Sequence, residues 1–105
     1  MTHDWYKFYP TQVEKEIDLS KAVSIAHALE QACKRHADKV ALHCMNAELS
    51  FRQFDRLANQ FASFLQNDLG LKKGDRMAIM IPNVMQFPIA FYAAQKIGVV
   101  CVNTN

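Results

Sequence analysis

Residues 72–105 read KKGDRMAIMIPNVMQFPIAFYAAQKIGVVCVNTN, and this stretch decides the fold. Residues 77–81 form an unbroken apolar run, which is typical of a strand buried on both faces of a parallel sheet. A second apolar run, rich in β-branched residues, occupies residues 99–102. Parallel strands need a crossover, and the residues between the two runs can supply a helix that ends at Gly98. The stretch therefore predicts a βαβ unit in an α/β protein.

The start of the crossover helix allows two interpretations. Asn83 and Gln86 have the spacing of a capping box, which would begin the helix at Asn83 and bend it at Pro88. Alternatively, the regular helix begins near Phe87 with Pro88 at its first position. A helix N-terminus beside the end of a parallel strand can also bind anions, but we favour the simpler role of Asn83 as a cap.

Residues 50–69 form the clearest amphipathic helix of the chain. Ser50 and Gln53 match a capping box at its start, and Gly70 stops it. The predicted apolar stripe comprises Phe54, Leu57, Ala58, Phe61, Ala62, Leu65 and Leu69. The predicted solvated face comprises Arg52, Asp55, Arg56, Asn59, Gln60 and Gln66. A phenylalanine stripe at this spacing indicates a core face rather than a cofactor site.

Upstream, the pattern predicts a helix and a hairpin. Ser24 is a suitable N-cap for a helix that continues to about Ala37. Residues 40–45 predict a strand, residues 46–48 a turn, and residues 49–51 a short returning strand. Cys33 and His36 lie one helical turn apart and could be metal ligands. No second pair occurs at zinc-like spacing, so we interpret both as core or rim residues.

Residues 1–20 contain four aromatic residues within five positions, Trp5, Tyr6, Phe8 and Tyr9, just before Pro10. Because proline disfavours helix at the preceding residue, we expect an extended N-terminal arm. Packing of its rings on the body of the protein is the favoured interpretation. A partner or membrane contact, aided by Lys7 and Lys15, is the alternative.

The composition fits one cytoplasmic domain with a small core. Half of the 105 residues are hydrophobic and 21% are charged, which excludes a disordered chain. The net charge of +2, with both signs interspersed, gives no indication of nucleic-acid binding. No apolar run is long enough to span a membrane, and Asp4 and Lys7 argue against a secretory signal. The odd cysteine count, Cys33, Cys44 and Cys101, favours reduced thiols.

Motifs that carry chemistry are missing from the sequence. Lys72 and Lys73 precede Gly74-Asp75, but neither a GxxxxGK nor a GxGxxG pattern occurs, so we expect a solvated basic loop. No nucleophile lies at motif spacing from a base, and no metal-ligand cluster or pair of carboxylates forms a motif.

The ordered series of short motifs nevertheless resembles the N-terminal region of adenylate-forming (AMP-binding) enzymes, and within them the bacterial long-chain fatty acid–CoA ligases. The superfamily resemblance is carried by residues 49–52 (LSFR), 57–59 (LAN), 70–78 (GLKKGDRMA) and 81–83 (IPN). The resemblance to the fatty-acid branch is carried by Trp5, Tyr9-Pro10, Glu16-Ile17, Gln86, Pro88, Ala90, Gly98 and residues 102–105 (VNTN).

The resemblance implies a two-step reaction in the whole enzyme. ATP and a fatty acid give acyl-adenylate and pyrophosphate with Mg²⁺, and coenzyme A then displaces AMP to form the thioester. The family's phosphate loop, nucleotide contacts and catalytic lysine have no matching motif here. The resemblance therefore assigns no catalytic, cofactor-binding or metal-binding residue to this chain. It predicts residues 1–20 as an arm and residues 21–105 as the first part of the AMP-binding large domain.

We interpret the chain as an N-terminal piece of such a ligase, structural and inactive alone, because residue 105 falls where the family's large domain is still incomplete. The alternative is a standalone α/β interaction module derived from such an enzyme. A small nucleotide-binding protein is a third hypothesis, which the missing glycine loop disfavours. Self-association through the arm or open sheet edges is expected, and a peripheral contact of the parent with the inner membrane is left open.

Overall fold

The computed structural model describes residues 2–21 and 23–105. The helices of this part of the chain are α1 (Ile25–Arg35), α2 (Phe51–Asn67) and α3 (Gln86–Ile97). The strands are β1 (Val40–Cys44), β2 (Ala47–Ser50), β3 (Arg76–Ile79) and β4 (Val100–Asn103). The order of arm, helix, hairpin, amphipathic helix and βαβ unit confirms the predicted α/β class.

The N-terminal arm is not extended throughout. It contains two short 3-10 helices, Asp4–Phe8 and Leu19–Lys21, and neither has a buried side chain. The His3 ring stacks on Trp5 at 4.3 Å, and Tyr6 meets both rings edge-on. Trp5 and Phe8 remain 55% and 77% exposed. The ring contacts that the structure shows for the arm are thus with one another, and the expected packing on the body is not seen among the described residues.

Helices α1 and α2 begin where the sequence predicts. The Ser24 hydroxyl accepts a hydrogen bond from the His27 amide at 3.1 Å. Ser50 and Gln53 form both bonds of the capping box, at 3.1 and 2.8 Å. These bonds satisfy amides that the first turn leaves without helical partners, which fixes each start locally.

The ends of these helices come about two residues earlier than predicted. Helix α1 stops at Arg35, and α2 stops at Asn67 rather than Leu69. Gly70 adopts a φ of +68°, and the Leu71 amide returns to the Leu65 carbonyl at 2.9 Å. This reversal carries Leu69 out of the helix and leaves it 57% exposed, so its predicted place in the apolar stripe is wrong.

The hairpin turns at Met45 and Asn46 instead of at residues 46–48. Both residues have positive φ, +51° and +64°, and Cys44 pairs with Ala47 across the turn. A two-residue turn with two positive φ values matches the right-handed twist of the strands. The turn is therefore shorter and earlier than predicted, and β2 begins at Ala47.

Strands β3 and β4 pair in parallel through α3, as the βαβ prediction requires. Arg76 lies opposite Val100, and Ile79 lies opposite Asn103. Gly98 ends α3 in the left-handed conformation with a φ of +74°. Val99 is buried directly behind this turn. The crossover is thus confirmed in both its strands and its helix terminus.

The prediction that β3 is buried on both faces is wrong for this chain. Met77 and Ile79 face the helices, whereas the other side of the strand pair stays exposed because α3 covers only one face. Met80, Val100 and Val102 are 68%, 48% and 43% exposed. We call this surface the open sheet face, and its residues are Arg76, Ala78, Met80, Val100 and Val102.

Asn83 is not the cap of α3. The Val84 amide donates to the Pro82 carbonyl at 2.8 Å, so Asn83 lies within a turn, and the helix starts only at Gln86. Its N-cap residue, Met85, makes no capping bond through its side chain. Pro88 is the third helical residue, where no intrahelical amide bond is required, so it removes no hydrogen bond from the helix. The later start of the two predicted alternatives is therefore closer to the structure.

The core lies where the three helices meet. Phe54 and Tyr92 are buried with their ring centroids 5.2 Å apart. Small residues let α2 and α3 approach closely around these rings. The buried members of the core are Cys33, Phe54, Ala58, Ala62, Leu65, Tyr92 and Ala93. Among the described residues, no helix is both long and apolar enough to cross a membrane.

Candidate functional site

A cluster of polar side chains joins the three helices beside the core. Asp55 comes from α2, Tyr92 and Lys96 from α3, and Glu30 and Cys33 from α1. The Tyr92 hydroxyl donates to Asp55 Oδ1 at 2.9 Å, and the Lys96 ammonium lies 3.0 Å from the same oxygen. Lys96 Nζ is also 3.8 Å from Glu30 Oε1. We call these five residues the three-helix cluster.

Helical spacing places these side chains together. Tyr92 and Lys96 are four residues apart on α3, and Lys96 Nζ lies 4.4 Å above the Tyr92 ring. Glu30 and Cys33 are three residues apart on α1 and face the same way. Asp55 follows the buried Phe54 and so points to the edge of the core. Four members of the cluster, Glu30, Cys33, Asp55 and Lys96, line a depression of about 630 Å³ together with Lys34, Ala37, Arg52 and Asn59.

The charges of the cluster are paired in a partly buried setting. The side chains of Lys96 and Asp55 are 12% and 33% exposed. Partial burial raises the pKa of Asp55, but hydrogen bonds from Lys96 and Tyr92 outweigh it, so the net pKa lies below its usual value. Burial and the bond to Asp55 raise the pKa of Tyr92 far above its usual value. The acceptor is thus the Asp55 carboxylate, and the tyrosine stays protonated as its donor.

The position of Asp55 corrects the sequence analysis, which assigned it to the solvated face of α2. Its partners, Tyr92 and Lys96, lie 37 and 41 residues away. The sequence signal for these contacts lies on α3, where Tyr92 and Lys96 are one helical turn apart and flank the small apolar residues Ala93 and Ala94.

The side chains of the three-helix cluster connect the helices. Burial, followed by the nearby Asp55 charge, raises the pKa of the Cys33 thiol, which keeps it protonated and a poor nucleophile. Asp55 accepts bonds from three donors, Tyr92, Lys96 and Asn59, so it is not set up as a general base. The cluster therefore links α1, α2 and α3 rather than presenting a reactive group.

The residues weighed for metal or phosphate binding lie on two different parts of the fold, Cys33 and His36 at the end of α1 and Lys72 and Lys73 in the loop before β3. Cys33 is buried at 5% exposure, while the His36 ring lies 6.0 Å from the Phe51 ring. Within residues 2–21 and 23–105, no group of three or more His, Cys, Asp or Glu side chains could hold a metal ion. Lys72 and Lys73 are exposed, and the Lys72 amide donates to Asp75 Oδ2 at 2.7 Å within its own turn.

A second concave surface lies between α2 and α3 near the end of β3. It has a volume of about 530 Å³ and is lined almost entirely by apolar atoms. We call it the apolar groove. Its lining residues are Leu57, Gln60, Phe61, Phe64, Ile81, Gln86, Ile89 and Ala90.

Comparison with known proteins identifies the fold unit. Residues 29–105 match the AMP-binding enzyme family. The chain is 41% identical to a long-chain-fatty-acid–CoA ligase of Yersinia pestis and 39% identical to one of Haemophilus influenzae, each over 101 residues, which are 96% of this chain and 18% of the ligase. It also superposes on the N-terminal subdomain of NpsA from Klebsiella oxytoca with a TM-score of 0.76 and 30% identity, over 80% of this chain and 22% of that one. The chain thus spans about a fifth of the length of these relatives, and it belongs to the AMP-binding enzyme family.

Proposed function

We propose that this chain is the N-terminal part of a long-chain fatty acid–CoA ligase. The observation that carries the proposal is the identity of about 40% to such ligases, which extends over 96% of the chain. In the whole enzyme, the fatty acid carboxylate attacks the α-phosphate of ATP and releases pyrophosphate. The thiol of coenzyme A then attacks the acyl carbonyl carbon and releases AMP. The parent enzyme is proposed to be cytoplasmic.

The role we propose for residues 21–105 is to begin the large domain, with residues 1–20 as an arm that precedes it. Strands β3 and β4 start a parallel sheet, α3 packs on one face of it, and the three-helix cluster ties α1 and α2 to α3. We propose no contact with ATP, Mg²⁺ or coenzyme A for this chain, because the charges of the three-helix cluster pair with one another and the described residues form no group of metal ligands. We therefore assign the chain itself a structural role.

The experiment is a chimeric ligase in which residues 1–105 replace the matching segment of the Yersinia pestis enzyme. Formation of palmitoyl-CoA from palmitate, ATP and coenzyme A is the readout. The chimeric ligase should be active, and the same enzyme lacking the segment should not. A soluble chimeric ligase with no more activity than the deleted enzyme would refute the proposal.

A second candidate is a standalone interaction module that associates with itself. The open sheet face favours this alternative, because Met80, Val100 and Val102 present apolar side chains to solvent beside unpaired strand edges. Light scattering during gel filtration would test it. A concentration-dependent dimer of the 105-residue chain that the Val102→Asp variant abolishes would support this module.

A further inference from the structure

The apolar groove has an unusual composition for a solvent-exposed concavity. Phe64 and Ile81 are 45% and 40% exposed, and the rings of Phe61 and Phe64 stack with centroids 6.1 Å apart. Its eight lining residues include two glutamines and no charged side chain. An apolar concavity without charged side chains is suited to contact with another apolar surface.

The depression over the three-helix cluster provides the contrast. There, Lys96 is paired with Asp55 and Glu30, so the charged side chains complete one another without an external partner. The apolar groove has no charged side chains in its lining that could pair with one another in this way. Covering it would remove apolar area from water, which is favourable by about 25 cal/mol per Å².

The length of the relatives indicates what covers the groove. The chain spans 18% of the Yersinia pestis ligase and 22% of the NpsA subdomain, while 80% of the chain has the same fold as part of that subdomain. In those proteins, this unit is therefore accompanied by a much larger body of polypeptide.

The position of the groove points to the same occupant. Ile81 follows β3 by two residues and lines the groove, so the groove lies at the end of a strand whose outer face is also open. Parallel sheets are normally covered on both faces. Polypeptide that extends and covers the β3–β4 pair would therefore pass beside the groove.

We propose that the apolar groove is the docking surface for the remaining large domain of an adenylate-forming ligase, which fills it with apolar side chains. This inference rests on the proposed function. It assigns Phe64 and Ile81, which are the most exposed apolar residues of the groove, to the interior of the assembled enzyme.

The test compares thiol accessibility in the isolated chain and in the chimeric ligase. The Phe64→Cys variant is made in both, with Met45→Cys as the matched control, because Met45 is 88% exposed on the hairpin and does not line the groove. Labelling with a maleimide is followed peptide by peptide by mass spectrometry, which separates the introduced thiol from Cys33, Cys44 and Cys101. We expect labelling at position 64 to be slower in the chimeric ligase by about tenfold or more, since buried thiols react slowly.

Equal labelling rates at position 64 in the two proteins would overturn the inference, and so would an equal slowing at position 45. Slower labelling of the isolated chain at higher concentration would also overturn it, because the occupant would then be a second copy. An active chimeric ligase with rapid labelling at position 64 rejects the docking surface alone. An inactive one with a protected thiol rejects the proposed function alone. Circular dichroism of the isolated Phe64→Cys chain checks that the fold is retained.

Discussion

The Tyr92 hydroxyl donates a 2.9 Å hydrogen bond to Oδ1 of Asp55, which joins α3 to α2 across 37 positions of sequence. The same oxygen accepts from Lys96 at 3.0 Å, and Lys96 also approaches Glu30 on α1. One carboxylate oxygen thus organises contacts among three helices. In the proposed ligase, this connection would hold the covering helices in place on the first strands of the sheet.

Removal of the tyrosine hydroxyl should destabilise the fold while leaving its packing intact. Tyr92→Phe retains the fully buried ring but takes one donor from the Asp55 carboxylate. We expect the free energy of unfolding to fall by about 1–2 kcal/mol in urea denaturation. Tyr6→Phe is the control, because the Tyr6 hydroxyl makes only a long, exposed bond of 3.4 Å to Glu16. An equal loss in the two variants would show that the Asp55 bond has no special role.

The stabilisation by Asp55 should depend on pH. Its pKa in the folded protein lies below the unfolded value of about 3.9, so its ionised form stabilises the fold above that pH. This contribution is lost as the pH falls through the folded pKa. Asp55→Asn should therefore differ from the wild type most at pH 7, and the difference should shrink as the pH is lowered below the unfolded value of about 3.9.

Asp38→Asn is the matched control for this titration. Asp38 pairs with Arg52 at 2.9 Å, but the two side chains are 88% and 68% exposed. Exposed pairs contribute little to stability, so this variant should remain close to the wild type at both pH values. A difference for Asp55→Asn that stays constant between pH 7 and pH 3 would contradict the assignment of Asp55 as the ionised acceptor.

The turn after α3 should tolerate no side chain at Gly98. A Cβ there would lie 2.8 Å from Cγ of Lys73, and the φ of +74° adds backbone strain. Gly70→Ala is the control, because Gly70 has a similar φ of +68° with nothing within 4 Å of the added Cβ. We expect Gly70→Ala to lower the free energy of unfolding by about 1 kcal/mol and Gly98→Ala by about 2–3 kcal/mol. Equal losses would mean that Lys73 moves aside freely.

Substitution of Ser50 and of Asn83 should distinguish the observed cap of α2 from the cap of α3 that was predicted at Asn83. Ser50→Ala removes the acceptor for the Gln53 amide and should lower the free energy of unfolding by about 1 kcal/mol. Asn83→Ala should change it by less than about 0.5 kcal/mol, because Asn83 lies in the turn before α3 and does not cap the helix. Thermal unfolding of both variants measures the change in the free energy of unfolding. A loss for Asn83→Ala as large as that for Ser50→Ala would restore the capping box at Asn83.

Local signals explain why much of the fold was predictable. Ser24, Ser50 and Gly98 each act through backbone groups within a few residues of themselves, so their effect can be recognised in the sequence. The parallel pairing of β3 with β4 also follows from two apolar runs and the crossover between them. The hairpin turn was misplaced because methionine gives no signal for the positive φ that Met45 adopts.

Long-range contacts explain what was missed. On helical periodicity Asp55 looks like a solvated residue, and only the fold brings Tyr92 and Lys96 to it. The apolar groove was hidden for a related reason. Phe61 was correctly placed in the apolar stripe of α2, but the stripe did not include Phe64, and periodicity does not reveal that Phe64 and Ile81 line an open groove with Phe61.

The most direct measurement of the central claim is the rate of palmitoyl-CoA formation by the chimeric ligase that carries residues 1–105. If the chain is the N-terminal part of a long-chain fatty acid–CoA ligase, kcat/KM should lie within about tenfold of the Yersinia pestis enzyme, a loss of no more than about 1.4 kcal/mol in transition-state stabilisation. A chimeric ligase that is soluble and folded, yet no more active than the enzyme without the segment, would contradict the account.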